Sequence, residues 1–254
     1  MRQDMLSSIA SRLDEAALSA TPVTQLSETI SVEEAYEVQR LSVLCRIERG
    51  ERRLGIKMGL TSKAKMAQVG VKEMTWGRLT DEMLIEEGGN AERSRFIHPR
   101  AEAEIAFLIG KPLAGKVTLA EAFAAIDGVA AAIEIIDSRY KDFKFSLTDV
   151  VADNSSSSGF IVGHWNPPGT DVANLGMALE FDGTPVSIGS STAILGHPMR
   201  SVAAAAALLA RYGDSLQPGD VLLSGAATAA EPLKPGTRVR VRVEKLGACG
   251  FYIS

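Results

Sequence analysis

Two closely spaced glutamates could take part in binding a cation. Glu102 and Glu104 lie in residues 101–109, where acidic and apolar residues alternate before the segment becomes wholly apolar. This period of two predicts a strand, so both side chains emerge on the same face. Two carboxylates on one face repel each other unless a positive group lies between them. Such a pair is therefore a candidate for one side of a metal site.

Glu134 interrupts a segment that otherwise looks fully buried. Residues 128–136 read Gly-Val-Ala-Ala-Ala-Ile-Glu-Ile-Ile, which predicts a buried strand. A lone buried carboxylate is destabilising unless a cation or a proton compensates it. One hard divalent ion would satisfy Glu102, Glu104 and Glu134 together and leave positions for water and substrate oxygens. Oxygen-only ligands favour Mg²⁺, or Mn²⁺, over zinc and copper.

An ordinary ion-pair arrangement fits the same spacing equally well. Glu102 and Glu104 would then face solvent, and Glu134 would pair with a nearby base such as Arg139. Spacing alone leaves both arrangements open.

Other polar residues occur where apolar ones would be expected. Lys57 lies within the apolar run 55–60, so it is either part of a polar site or an edge-strand residue whose amine reaches water. Asp137, Ser138 and Arg139 close the strand that carries Glu134. Asp153, Asn154 and residues 155–158 form a polar loop. Each of these could also be ordinary turn chemistry.

The elements that must position these residues follow from periodicity and turn residues. Helical patterns occupy residues 5–17, 32–50, 63–69, 118–126 and 201–212. Strand patterns occupy residues 55–60, 101–109, 128–136, 160–163, 176–182, 221–224 and 237–245. Strands and helices do not alternate regularly, which argues against a doubly wound parallel sheet.

The N-terminal third differs in pattern from the rest. Residues 70–77 have glycines at both ends and predict a flexible surface segment with an exposed Trp76, which could act as a lid. We therefore expect an N-terminal helical region with a lid over residues 1–80 and a β-rich, metal-binding catalytic domain over 81–254. One continuous domain is the alternative.

Composition excludes several function classes. The chain has 254 residues, 46% of them apolar, and a net charge of −4 without a basic tract, so nucleic acid is not expected as a partner. The apolar stretch at 202–210 is too short to span a membrane, and the N-terminus lacks a signal-peptide core, which predicts a cytoplasmic protein. Cys45 and Cys249 lack metal-ligand spacing, as do the three histidines.

Four motifs occur in the order of a known family. They are Gly-x-Lys-x-Gly-Leu-Thr-Ser at 55–62, Pro-Arg-Ala-Glu-Ala-Glu at 99–104, Ala-Asp-Asn-Ser at 152–155 and Leu-Gly-His-Pro at 195–198. With Glu134, they resemble the fumarylacetoacetate hydrolase superfamily, in particular its hydratase and decarboxylase branch. The resemblance implies an α+β fold: a β-rich roll of mixed sheet with peripheral helices and a small N-terminal helical region.

Within that branch, the resemblance favours decarboxylation of 2-oxo-3-hexenedioate in the meta-cleavage pathway of aromatic degradation. The Lys-Met-Gly-Leu-Thr-Ser stretch and the segment 136–145 resemble the decarboxylases, whereas the acidic pair Asp81-Glu82 is closer to the hydratases. Hydration of 2-hydroxypenta-2,4-dienoate is therefore the alternative. Carbon–carbon hydrolysis of acylpyruvates is a second one, but it usually needs a His-Glu pair near the lid, and residues 61–76 contain no histidine. A non-enzymatic scaffold is disfavoured because the carboxylates and Lys57 are all present.

The resemblance also implies ligands and roles. We expect Glu102, Glu104 and Glu134 to bind Mg²⁺ or Mn²⁺ without an organic cofactor, and a small 2-oxo dicarboxylate to be the substrate. A complex with the pathway hydratase and a homo-oligomer are the protein assemblies considered; nucleic acid and membrane are excluded. The expected catalytic residues are Lys57, Asp81 and Arg139. The expected substrate-binding residues are Leu60, Ser62, Asp137, Asn154, Ser155 and Thr228.

Overall fold

Two mixed β-sheets packed face to face organise the chain. The structure, a computed structural model, describes residues 1–62 and 73–254. The first sheet comprises β1 (Arg53–Gly59), β2 (Thr75–Thr80), β4 (Arg100–Ile109), β5 (Ile126–Ile136), β6 (Ser157–Val162), β9 (Val221–Leu223) and β10 (Glu231–Pro232). The second comprises β3 (Asn90–Ala91), β7 (Gly176–Phe181), β8 (Thr184–Ser190), β11 (Thr237–Val243) and β12 (Gly247–Ile253).

Strand order places β4 and β5 inside the first sheet. The order is β2-β1-β9-β4-β5-β6, with β10 attached to β4. The strands β11 and β12 of the second sheet pack on β5, and side chains on both faces of β5 are buried. A strand covered on both faces reads as a continuous apolar run, which explains residues 128–136. The mixed sheets confirm the predicted α+β fold.

Five α-helices lie outside the sheets in the described ranges: α1 (Arg2–Leu18), α2 (Val32–Glu48), α3 (Leu119–Ala124), α4 (Leu147–Ala152) and α5 (Met199–Ala210). A capping box begins α2, since Ser31 accepts from the Glu34 amide while Glu34 accepts from the Ser31 amide. The helices α1 and α2 pack on each other, and α2 also contacts α4. Among the described helices, none combines the length and the apolar character needed to cross a membrane.

The prediction that Trp76 is exposed is wrong. Its side chain is 0% exposed, and it lies in β2, which pairs with β1. Tyr36 of α2 stacks on its ring at a centroid distance of 5.1 Å, and the buried amide of Gln39 donates to the Trp76 carbonyl. The glycine-flanked pattern was misread because Gly77 is part of the strand. The predicted helix over 63–69, and residues 70–72 of the predicted lid, lie outside the described residues.

The predicted boundary at residue 80 falls within one sheet. The strands β1 and β2 precede the boundary, yet they join β9 and β4 in the same sheet. This arrangement favours the alternative of one continuous domain. The division into two regions stays a prediction.

Candidate metal centre

Strand pairing brings the three glutamates together. Glu102 of β4 lies directly opposite Glu134 of β5 in an antiparallel register, and Glu104 follows two residues along the same face of β4. One carboxylate oxygen from each residue lies within 4.8 Å of the other two. Glu104 and Glu134 are 0% exposed, and Glu102 is also buried. The ion-pair alternative, in which Glu102 and Glu104 face solvent, is therefore wrong.

Lys57 completes this cluster. It lies in β1 and is buried, with Nζ 2.9 Å from Glu134 Oε1 and 3.0 Å from Oε2. The edge-strand alternative for Lys57 is wrong, because β1 lies between β2 and β9. Glu134 thus pairs with Lys57, and the base Arg139 has a different partner.

The charges of the cluster do not balance. Burial raises the pKa of Glu104 well above its ordinary value, and the neighbouring Glu134 and Glu102 raise it further. Burial also raises the pKa of Glu134, although Lys57 opposes the rise. For Lys57, burial lowers the pKa, but attraction to Glu134, Glu104 and Glu102 outweighs burial and leaves the pKa raised. Among the described residues, three carboxylates face one ammonium in this cluster, and a divalent cation would neutralise the excess negative charge.

The donor set fits a hard divalent ion. Glu104 Oε2 accepts a hydrogen bond from the Gly225 amide at 2.8 Å, whereas its buried Oε1 has no hydrogen-bond partner among the described residues. A buried carboxylate oxygen without such a partner is available as a metal ligand. Carboxylates are also the ligands that Mg²⁺ and Mn²⁺ prefer. The residues present therefore fit such a cation.

Gly225 is required by the loop that holds Glu104. Its φ is +102°, and a Cβ at this position would lie 2.0 Å from Thr61 Oγ1. Only glycine allows both this left-handed conformation and this close approach. The loop after β9 can therefore present its amide to Glu104 while Thr61 packs against it.

A cavity of about 120 Å³ opens beside the cluster. Lys57 and Glu102 line it, and so do the predicted residues Leu60 and Ser155. Leu60 and Ser155 have φ values of 56° and 54°, and Ser155 Oγ lies 2.6 Å from Thr75 Oγ1. Ser156 of the polar loop 155–158 also lines the cavity. The other lining residues were not among the predicted site residues: Thr61, Thr75, Phe143, Phe145, Leu147, Val150, Ile136, Met58, Gly59 and Ala226.

Arg139 and Asp137 face a different cavity. Arg139 is buried, and it donates to the carboxylate and carbonyl of Asp153 and to Ser158 Oγ. Asp137 accepts from the Ile97 and His98 amides at 2.7 Å each. Both line a second cavity of about 270 Å³ between the N-terminal helices and the end of β5. Their assigned roles stay predictions, but their present contacts hold backbone segments in place.

The remaining candidates have other partners. The side chain of Asn154 bonds the backbone amide and carbonyl of Arg78, and Thr228 Oγ1 accepts from the Ala103 amide at 3.3 Å. Asp81 pairs with Arg52 at 2.8 Å, and it is not among the residues that line the cavity beside Lys57. Ser62 is half-buried at the edge of the described residues. The roles assigned to these four residues stay predictions.

A buried trio of carboxylates on paired strands, with a lysine and a small cavity, defines a class of metal-binding α+β proteins. The chain belongs to the fumarylacetoacetate hydrolase family, since residues 63–253 match the family model for the fumarylacetoacetate (FAA) hydrolase C-terminal region.

Relatives within that family carry specific names. The chain is 56% identical to a 4-oxalocrotonate decarboxylase of Pseudomonas sp. over 97% of both chains. A solved 4-oxalocrotonate decarboxylase from Pseudomonas putida G7, complexed with magnesium and adipate, superposes with a TM-score of 0.96 at 37% identity, covering 99% of this chain and 98% of that one. A 2-hydroxyhexa-2,4-dienoate hydratase of Comamonas testosteroni is 36% identical over 96% of this chain and 95% of its own.

Proposed function

We propose that the chain is a divalent-metal-dependent carboxy-lyase that acts on 2-oxo-3-hexenedioate, also called 4-oxalocrotonate. It releases carbon dioxide and yields 2-hydroxypenta-2,4-dienoate, a step of the meta-cleavage pathway of aromatic degradation. The buried cluster of Glu102, Glu104, Glu134 and Lys57 beside the cavity is the observation that carries this function. The similarity to 4-oxalocrotonate decarboxylases over nearly the whole chain supports it.

The three glutamates would hold the cation. Magnesium is the metal in the similar structure from Pseudomonas putida G7, and the oxygen-only donor set suits Mg²⁺ and Mn²⁺. When bound, such an ion acts as a Lewis acid that withdraws electrons from a substrate oxygen. No organic cofactor is needed, because the 2-oxo group of the substrate accepts the electrons that the departing carboxylate leaves behind.

Lys57 stabilises the charge that develops on the substrate. The bond between C5 and its carboxylate carbon breaks, and the electron pair moves through the conjugated system to the C2 oxygen. That oxygen then takes up one proton, which balances the loss of carbon dioxide. The ammonium of Lys57 lines the cavity beside Glu102 and is held by Glu134, so its positive charge is fixed where the oxygen becomes negative.

Hydroxyl groups on the cavity wall orient the substrate. Ser155 and Thr75 are hydrogen-bonded to each other at 2.6 Å, and both line the cavity. Ser155 belongs to the loop that Arg139 holds through Asp153, so Arg139 acts on substrate binding through loop position. Direct roles for Asp81, Ser62 and other assigned residues stay predictions.

Incubation with 2-oxo-3-hexenedioate and Mg²⁺ tests this function, with carbon dioxide release as the readout. We expect release that depends on the metal and is lost in Glu104→Gln. Glu180→Gln is the matched control, because Glu180 is a buried carboxylate of the second sheet.

The similarity to the Comamonas testosteroni hydratase makes hydration the second candidate. Water addition to 2-hydroxypenta-2,4-dienoate without carbon dioxide release would select it and contradict the carboxy-lyase.

The assembly and location of the protein are further proposals. A complex with the pathway hydratase would pass on an unstable dienol product, and association with further copies of the chain is the other assembly considered. We also place the reaction in the cytoplasm. Size-exclusion chromatography of the purified chain, alone and mixed with the hydratase, tests both assemblies.

A further inference from the structure

The cavity beside Lys57 is lined by two chemically different groups of residues. Lys57, Glu102, Thr61, Thr75 and Ser155 supply charges and hydroxyl groups. The apolar lining comes mainly from one segment of the chain, which leads into α4 and continues through it. The lining side chains of this segment are Phe143, Phe145, Leu147 and Val150. Within residues 1–62 and 73–254, Lys57 is the one cationic side chain that lines this cavity.

Phe143 is held in place from several directions. The guanidinium carbon of Arg100 lies 4.6 Å from the centre of its ring, the distance of a cation–π contact. The rings of His98 and Phe145 lie at centroid distances of 5.0 and 5.7 Å from it. Arg100 begins β4, the strand that carries Glu102. The ring is therefore tied to the strand that carries two of the metal-binding glutamates.

The backbone at Phe143 is strained. Asp142 and Phe143 have φ values of 59° and 56°, a left-handed conformation that is uncommon for residues other than glycine, asparagine and aspartate. Aspartate tolerates this conformation, but a phenylalanine keeps it only where the surroundings determine it, and such strain is concentrated at functional sites. The contacts with Arg100 and His98 are such surroundings. The strain therefore serves to place the Phe143 ring on the cavity.

We propose that Phe143 is a specificity-determining residue for decarboxylation, whose ring forms the apolar wall against the departing carboxylate, and that Arg100 is its positioning residue. The proposal rests on the function proposed above. With the 2-oxo acid end of the substrate at Glu102 and Lys57, this proposal sets the distal carboxylate against the apolar lining residues. A phenyl ring offers that carboxylate no hydrogen bond, so the charged reactant is destabilised relative to neutral carbon dioxide.

The charge movement of the reaction matches this polarity. As the bond from C5 to its carboxylate carbon breaks, negative charge leaves the apolar wall and arrives at the C2 oxygen near Lys57. The proton taken up at that oxygen comes from solvent, and carbon dioxide is the neutral leaving group. The cavity thus disfavours the negative charge on the distal carboxylate of the reactant and favours the negative charge that develops on the C2 oxygen.

Phe143→Asn is the discriminating variant. Asparagine tolerates the left-handed backbone and adds an amide that can donate to the distal carboxylate. We expect kcat for carbon dioxide release to fall about tenfold or more, the ratio produced by about 1.4 kcal/mol, while adipate binds at least as tightly as to wild type. Phe143→Leu keeps the wall apolar and should lose less of kcat. Phe123→Asn, at an exposed phenylalanine of α3, is the unaffected control.

Arg100 is tested by a second pair of variants. Arg100→Met should lower kcat with little change in the dissociation constant of adipate, and Arg100→Lys should restore part of kcat because it keeps a cation near the ring. The proposal is overturned if Phe143→Asn retains wild-type kcat, or if kcat and adipate affinity fall together in both Phe143→Asn and Arg100→Met. Absence of carbon dioxide release by the wild type would instead reject the proposed function itself.

Discussion

Two groups of buried charged residues flank the end of β5, and they differ in whether their positive and negative charges are balanced. Glu134 of β5 joins Glu102, Glu104 and Lys57, and within residues 1–62 and 73–254 three carboxylates there face one ammonium. Arg139, just beyond the strand, pairs with Asp153 and uses its remaining donors on the Asp153 and Ser157 carbonyls and on Ser158. In the described part of the chain the first group has excess negative charge, whereas the charges of the second are paired.

This difference separates a site from a structural contact. Burial raises the pKa of both Glu104 and Asp153, the latter to about 6, so a perturbed carboxylate alone does not identify the chemistry. Arg139 supplies the charge that Asp153 needs, whereas Glu104 has a buried oxygen with no hydrogen-bond partner among the described residues. An unbalanced buried group requires a ligand, and a balanced one only holds chain segments together.

The largest expected effect is on the unbalanced group. Glu134→Gln removes one ligand and the partner of Lys57, so kcat/KM should fall by about 100- to 1,000-fold, since a metal ion supplies several kcal/mol of charge stabilisation. Steady-state kinetics at limiting Mg²⁺ measures the loss. Glu180→Gln should stay near wild type. Equal turnover by Glu134→Gln would remove the distinction between the two groups.

The balanced group should instead affect stability. Arg139→Met leaves Asp153 buried without its partner, which should lower the free energy of unfolding by about 3–5 kcal/mol. Urea denaturation measures this change. Adding Asp153→Asn to the same chain should recover part of the loss, because no buried charge is then left. If Arg139→Met alone lowered the free energy of unfolding by less than about 1 kcal/mol, the ion pair would contribute little to stability.

A smaller effect concerns pH. The pKa of Asp153 is raised from 3.8 to about 6, chiefly by burial and against the attraction of Arg139. The folded chain therefore keeps a proton there that the unfolded chain releases, and stability falls as pH rises through this window. Relative to Asp153→Asn, the wild type should lose stability between about pH 4 and pH 6 and then remain level. If the free energies of unfolding of the wild type and Asp153→Asn changed in parallel with pH, the raised pKa of Asp153 would be contradicted.

The smallest effect is expected at an exposed ion pair. Asp81, predicted to be catalytic, is bonded to the side chain and amide of Arg52, and these contacts lower its pKa. If that surface pair is its only role, Asp81→Asn should change kcat/KM by less than about threefold, because exposed pairs contribute little. Arg52→Met is the matched variant. A loss of more than tenfold confined to Asp81→Asn would give Asp81 a part in the chemistry.

Sequence patterns predicted the two strands that carry the glutamates better than they predicted which segments pair with those strands. The alternation around Glu104 and the apolar run around Glu134 are local signals, and both strands were confirmed. The pairing of Glu102 with Glu134 and the position of Lys57 inside the sheet depend on distant segments, so spacing left two alternatives open. The family resemblance was what made the metal site the stronger expectation.

Other features of the structure leave no recognisable pattern in the sequence. The left-handed backbone at Phe143 occurs in a residue type that rarely adopts it, so sequence alone could not predict the aromatic wall. Trp76 was misplaced because its cover, Tyr36, comes from a helix 40 residues earlier in the chain. The family resemblance implies a catalytic role for Arg139 and a substrate-binding role for Asp137, which stay predictions, and the second cavity that both side chains line has no signal in the sequence.

Isothermal titration calorimetry of Mg²⁺ into the metal-free protein tests the central claim most directly. The unbalanced carboxylates predict one ion bound per chain, with binding weakened or lost in both Glu104→Gln and Glu134→Gln and unchanged in Glu180→Gln. Wild-type affinity in Glu104→Gln and Glu134→Gln would contradict the assignment of the metal to these glutamates.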